Sequence, residues 1–197
     1  MDSVKFSLFD VFGYALPGFL TICGIIVLCD TSVIGVDNLI AIATDINFSK
    51  GLLIALISFV LGFALDTPGS LLYYEVGCKV FEYYKKEVNE QYAINREQEK
   101  NILVLVREKC PENTEMLKTW KLYKTMSHNL SFSLLVLSAI FLIKVIFFKV
   151  ASITEWYLLS SASFILSFIF LYRASVFDRW YYTEIVHTAL SLNLIDL

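Results

Sequence analysis

Asp66 interrupts an otherwise uncharged run, GLLIALISFVLGFALDTPGSLL over residues 51–72, and Pro68 and Gly69 follow it closely. At about 1.5 Å per residue the part from Gly51 to Leu65 covers roughly 22 Å, less than the roughly 30 Å of hydrocarbon that a helix must cross. The Asp66 carboxylate is therefore expected within the membrane or at its edge, where it must be neutral, paired or wetted. Asp10, Lys144 and Arg173 are the other ionisable residues near membrane depth, and Arg173 falls on the same side as Asp66. An Asp66–Arg173 pair follows as a structural clamp, a gate or a mere coincidence of depth. Were it buried, loss of one partner would strand the other at a cost of about 3–5 kcal/mol. Pro68 removes a backbone donor, which leaves two readings. One helix bends there, with Thr67 and Ser70 hydroxyls re-satisfying a freed carbonyl. Alternatively the helix breaks at Pro68 and Gly69, restarts with Asp66 or Thr67 as N-cap, and turns half-helix ends toward a polar cavity.

No other constellation carries chemistry. Neither His128 nor His187 stands in an acid–cysteine or serine arrangement of a catalytic kind, and no nucleophile elbow, zinc-binding helix motif, phosphate loop or paired-acid signature occurs. Cys23, Cys29, Cys78 and Cys110 lack metal-ligand spacing and read as reduced or buried thiols. The sequence thus predicts no catalytic, cofactor-binding or metal-binding residue, no cofactor and no enzyme. Tyrosines near the span ends, such as Tyr73, Tyr74 and Tyr172, read as an interfacial belt rather than a nucleotide-stacking surface.

The elements that must position these residues are membrane helices. The chain has 197 residues, 57% of them hydrophobic, and a mean hydropathy of +0.63, too apolar for a domain that covers itself with polar groups. A formal charge of −3 suggests neither nucleic acid nor an anionic lipid surface as a partner on net charge alone. The fold class predicted is all-α, an integral membrane protein with four transmembrane helices and a cytoplasmic helical hairpin. Spans are expected over residues 11–29, 51–72, 129–148 and 155–172, the first retained rather than cleaved, since a basic leader and small-residue cleavage site are lacking. The domain division is 1–72 for the first two spans, 73–128 for the hairpin, 129–172 for the last two spans and 173–197 for a C-terminal helix. Ser7 with Asp10, Asp37, Ser49 and Thr114 read as helix caps, Pro17 as a kink, and Lys144 as a snorkelling side chain. Gly13, Gly18 and Gly24 in the first span, and Ser160, Ser163 and Ser167 in the fourth, are candidate sites of close helix packing.

Residues 73–128 carry ten bases and nine acids in mixed order, which argues for solvated helix. Val76, Val80 and Val88 keep helical spacing, so the second span should continue outward as one helix. Thirteen bases fall on the hairpin side of the bilayer against three on the other. Both termini and the hairpin are therefore expected in the cytoplasm.

The opening FSLFDVFGYALPGFL, with Leu-Pro-Gly after a Phe-Asp pair, resembles a motif of small bacterial four-span membrane proteins of unassigned role. SHNLSFSLLVL and RASVFDRWYYTEIV are similar to the same pattern. In size and layout, without a diagnostic motif, the chain also resembles the membrane accessory proteins of type VI-B CRISPR systems. No arginine stands four to six residues before His128 or His187, as a HEPN ribonuclease would show, so that likeness points to the multi-span members. The resemblance implies a non-enzymatic membrane protein in a defence setting. Two functions are expected: a homo-oligomer that alters membrane permeability or regulates a cytoplasmic effector, or an anchor that docks a soluble protein partner through the 73–128 hairpin. In the first, four spans per copy are too few for a wide channel, so several copies must assemble.

Overall fold

The computed structural model describes residues 8–81 and 96–192, so the Ser7–Asp10 capping box and hairpin residues 82–95 lie outside the described residues. All described elements are helical. They are α1 (Leu8–Cys29), α2 (Val36–Thr44), α3 (Phe48–Ala64), α4 (Asp66–Leu72), α5 (Arg96–Lys109), α6 (Pro111–Phe147) and α7 (Ile153–Ser191). A π turn over Tyr73–Gly77 and one further turn, Cys78–Val80, extend α4. By length and composition α6 and α7 qualify as membrane spans, and α2 with α3 would make a third if that pair, bent by 113°, counted as one span. Of the four spans expected from sequence, two thus lie in long apolar helices, and the other two fall on shorter apolar ones, α3 and the Gly13–Cys29 part of α1.

The frame is the antiparallel pair α6 and α7. Ser131 and Ser138 sit seven residues apart on α6, Ser160 and Ser167 seven apart on α7, so the four meet on one heptad seam. Ser138 Oγ donates to the Ser160 carbonyl and Ser160 Oγ to the Ser138 carbonyl, each at 3.0 Å. Ser167 Oγ donates to the Ser131 carbonyl at 2.8 Å. Small side chains bring the backbones close enough for these bonds, which would be unreachable between leucines.

α1 runs parallel to α6 and antiparallel to α3. Its crossing with α3 is made by glycine: a Cβ at Gly18 would stand 1.7 Å from the Ser58 carbonyl oxygen, and one at Gly62 1.7 Å from that of Tyr14. At Leu65 the regular helix is interrupted, three residues before Pro68, whose missing N–H leaves the Ala64 carbonyl without its usual donor. Neither Asp66 nor Thr67 caps the restart, because Leu65 itself keeps right-handed helical angles, and Ser70 Oγ donates to the Thr67 carbonyl at 2.9 Å. The interruption moves the chain from one neighbour to another, since α3 packs on α1 and α4 packs on α6.

Several local expectations are corrected. Asn47, not Ser49, caps α3 by accepting the Lys50 N–H at 2.9 Å. At α2 the cap residue is Gly35, whose N–H donates to Asn38 Oδ1, rather than Asp37. Pro111 opens α6 at its first turn, where its missing donor costs nothing, so Thr114 is inside the helix and not its cap. The outward extension of the second span leaves helical geometry at Phe81 (φ −108°, ψ 19°). α5 packs on the N-terminal end of α6 and the C-terminal end of α7, where Ile102 and Val106 meet Leu117, Ile185 and Ala189. Burial of those apolar faces is what holds the polar end together.

Candidate functional site

Where α4 gives way to the π turn, one extra residue enters the helical turn and the Cys78 N–H bonds back to the Tyr73 carbonyl. Such insertions re-aim side chains and recur at functional positions. Here the turn places Tyr73 inward against α7, with Gly77 giving room: a Cβ there would meet both Leu171 and the Tyr73 ring at 3.1 Å. Tyr73 is 2% exposed, and its hydroxyl donates to Asp178 Oδ2 at 2.8 Å. Lys124, from α6, donates to the other carboxylate oxygen, Asp178 Oδ1, at 2.7 Å. Its ammonium also reaches the Tyr74 hydroxyl at 3.4 Å and lies 5.0 and 5.2 Å from the centres of the Tyr73 and Tyr74 rings. The side chains of Lys124 and Asp178 are only 17% and 4% exposed.

One carboxylate thus ties three segments together, with both of its oxygens engaged. Burial pulls the Lys124 ammonium toward neutrality, but the Asp178 carboxylate and Tyr74 outweigh it and hold its pKa above the ordinary lysine value. Burial first, then the Asp178 charge, pushes the Tyr73 phenol well above its usual range. At neutral pH the site is therefore a lysinium–carboxylate pair with a protonated tyrosine.

Beside it His128 stacks on Tyr73, ring centres 6.3 Å apart, and with Asn129 it packs under Gly69 of α4. A Cβ on Gly69 would come within 2.5 Å of Asn129 Oδ1 and 3.0 Å of His128 Nδ1, so only glycine fits. His128 Nδ1 and both amide atoms of Asn129 are buried and make no hydrogen bond among the described residues. Of Pro68 and Gly69, read from sequence as a break, Gly69 thus lies directly against His128 and Asn129, while the interruption itself is at Leu65.

Asp66 and Arg173 do not form the anticipated pair. Among the described residues Asp66 makes no ion pair, and Arg173 is exposed and lies over the Phe177 ring at 4.9 Å. The buried pair is Lys124–Asp178. The missed signal was periodic: Lys124 sits seven residues from both Leu117 and Ser131, Asp178 seven from both Leu171 and Ile185, so each charge stands on a buried stripe. Lys144, read as snorkelling, turns inward instead and donates to the Val27 and Asp30 carbonyls, each at 2.8 Å. It thereby satisfies the unpaired carbonyls at the end of α1. Gly13 makes only ordinary contacts with Leu122 and Met126, while Gly24 faces the flexible ends of Ile140 and Leu137. Ser163 is buried beside Ser160 and Ser167 on α7.

The arrangement can bind, orient and brace. No group of three metal-ligating side chains occurs among the described residues. No protein-family model matches the chain, and neither a curated protein nor a solved structure matches it.

Proposed function

We propose that this chain is a multi-pass inner-membrane protein without catalytic activity, whose base-rich helical end is a cytoplasmic platform for a protein partner. The observation that carries the membrane part is an inverted distribution of polarity. Over residues 153–170 of α7 the buried positions are Trp156 and three serines, Ser160, Ser163 and Ser167, whereas Leu158, Phe164, Ile165 and Ile169 are exposed. Phe48, Leu53, Leu56, Val60 and Phe63 likewise leave α3 apolar on the outside. Water would reverse that pattern, and hydrocarbon favours it. Four crossings belong to this proposal, with α1 and α3 as the two shorter ones.

The platform is supported by the packing of α5 on α6, where Arg107 and Lys109 of α5 and Lys118 and Lys121 of α6 are exposed, with Glu108, Glu112 and Glu115 among them, beside a packed apolar layer. Regulation of a defence effector is the role that the family resemblance implies for such a surface. Permeability through self-association would have to use the exposed apolar faces, because Gly18, Gly62 and the four seam serines are engaged within one chain.

Alkaline carbonate extraction of membranes tests the first part, and release of the chain into the supernatant would refute it. The platform is tested by purifying the full chain with its bound protein. Lys118→Glu with Lys121→Glu should displace that protein without changing membrane content, and undiminished binding by this variant would remove the platform. Ion flux in liposomes carrying the purified chain alone would favour the permeability alternative.

A further inference from the structure

A groove of about 600 Å³ opens on the outer face of α7, lined by Phe81, Phe164, Ile165, Phe168, Ile169 and Tyr172. That volume lies within the roughly 300–1,000 Å³ of small-molecule sites, but the lining is wholly apolar and aromatic. One end is closed by the edge-on contact of Phe81 with Tyr172, ring centres 5.4 Å apart. Phe164 and Phe168 pack edge to face at 5.1 Å along the floor.

Arg173 follows Tyr172 directly and stands one helical turn beyond Ile169, so it sits on α7 next to the residues that line the groove. It is exposed, rests on Phe177 and pairs with no carboxylate among the described residues. The nearest acid on its own helix, Asp178, is already held by Lys124. A guanidinium with no carboxylate partner among the described residues, next in the chain to an apolar groove, matches the two halves of a phospholipid. A zwitterionic headgroup would bring its own cation against Arg173, whereas an anionic one would not.

We propose that this groove holds one acyl chain of an anionic phospholipid whose phosphate is bound by Arg173. The proposal rests on the membrane reading above and goes beyond it by naming a lipid class and a site. Native mass spectrometry of the full chain in mild detergent, supplied with phosphatidylglycerol or phosphatidylcholine, tests it. The wild type should retain one phosphatidylglycerol in preference to phosphatidylcholine. Arg173→Gln should lower that preference on the order of tenfold, as loss of one charge-assisted bond implies, with Arg173→Lys between the two. Ile169→Trp, which narrows the furrow, should reduce retention of both lipids. Equal retention of the two lipids by the wild type, an unchanged preference in Arg173→Gln, or a second copy of the chain in place of lipid would overturn the proposal. Wild-type melting of the Arg173 variants secures the comparison. A chain that stays dispersed without detergent would instead refute the membrane reading.

Discussion

Asp178 is the residue on which the polar end depends, because it neutralises Lys124 and accepts from Tyr73 at once. Asp178→Asn keeps the shape and removes the charge, leaving a mostly buried ammonium without a counterion, so a loss of about 3 kcal/mol is expected in detergent-solubilised melting. Tyr73→Phe removes one bond to a charged acceptor and should cost about 1.5 kcal/mol. Lys124→Met combined with Asp178→Leu should recover most of the single-variant loss, since an apolar pair needs no desolvation of charge. Additive losses in the double variant would show that the two residues do not act as a pair. The pH dependence has a definite sign. Both the Lys124 and the Tyr73 pKa are raised in the fold, so their contribution is complete below the ordinary values near about 10 and is lost as pH rises through the raised ones. The gap in melting temperature between wild type and Asp178→Asn should stay constant from pH 6 to about 9 and close above about 10. A gap that instead closed on acidification toward about pH 6 would contradict the assignment.

At the scale of elements, the crossing of α1 and α3 is set by two backbones in contact rather than by side chains. A methyl at Gly18 or Gly62 would strike a carbonyl oxygen that no rotamer can move, so Gly18→Ala and Gly62→Ala should each cost about 3 kcal/mol or force the helices apart. Gly13→Ala should be neutral or slightly stabilising, for its Cβ would meet only Leu122 and Met126 at ordinary distances and alanine favours the helix. Thermal melting of the three variants checks this, and equal behaviour of Gly13→Ala and Gly18→Ala would refute it. Composition marks small residues in apolar helices as packing positions, but it does not say which of them face a backbone; Gly62 escaped notice beside the conspicuous Asp66. The seam serines were half legible. Ser160 and Ser167 stand out on their own helix, while their partners Ser131 and Ser138 follow only from the antiparallel register, a long-range fact. The π turn was not legible, because its extra residue is fixed by how Tyr73 and Gly77 fit α7 and not by any local propensity.

For the whole molecule, the helices sort the polar groups toward two ends. Asp30, Lys144 and Trp156 gather at one, where Trp156 Nε1 donates to the Ile34 carbonyl at 3.2 Å; Lys124, Asp178 and α5 gather at the other. α6 has 37 residues, so it extends about 55 Å, and only about 30 Å of that is needed to cross hydrocarbon. In the proposed membrane arrangement the excess is the polar stretch before His128, which would stand in water on the base-rich side. Cys29, at the end of α1 nearest Lys144, and Cys110, just before α6, should therefore be separated by the full thickness of the bilayer. In spheroplasts of single-cysteine variants, an impermeant maleimide should label Cys29 from outside and reach Cys110 only after permeabilisation. Labelling of both from the same side would mean that α6 does not cross, and the inverted polarity of α7 would then have to be covered by protein instead of lipid. Labelling with the two sides exchanged would keep every span and move the Lys124–Asp178 site to the outer face, where a cytoplasmic partner could not reach it.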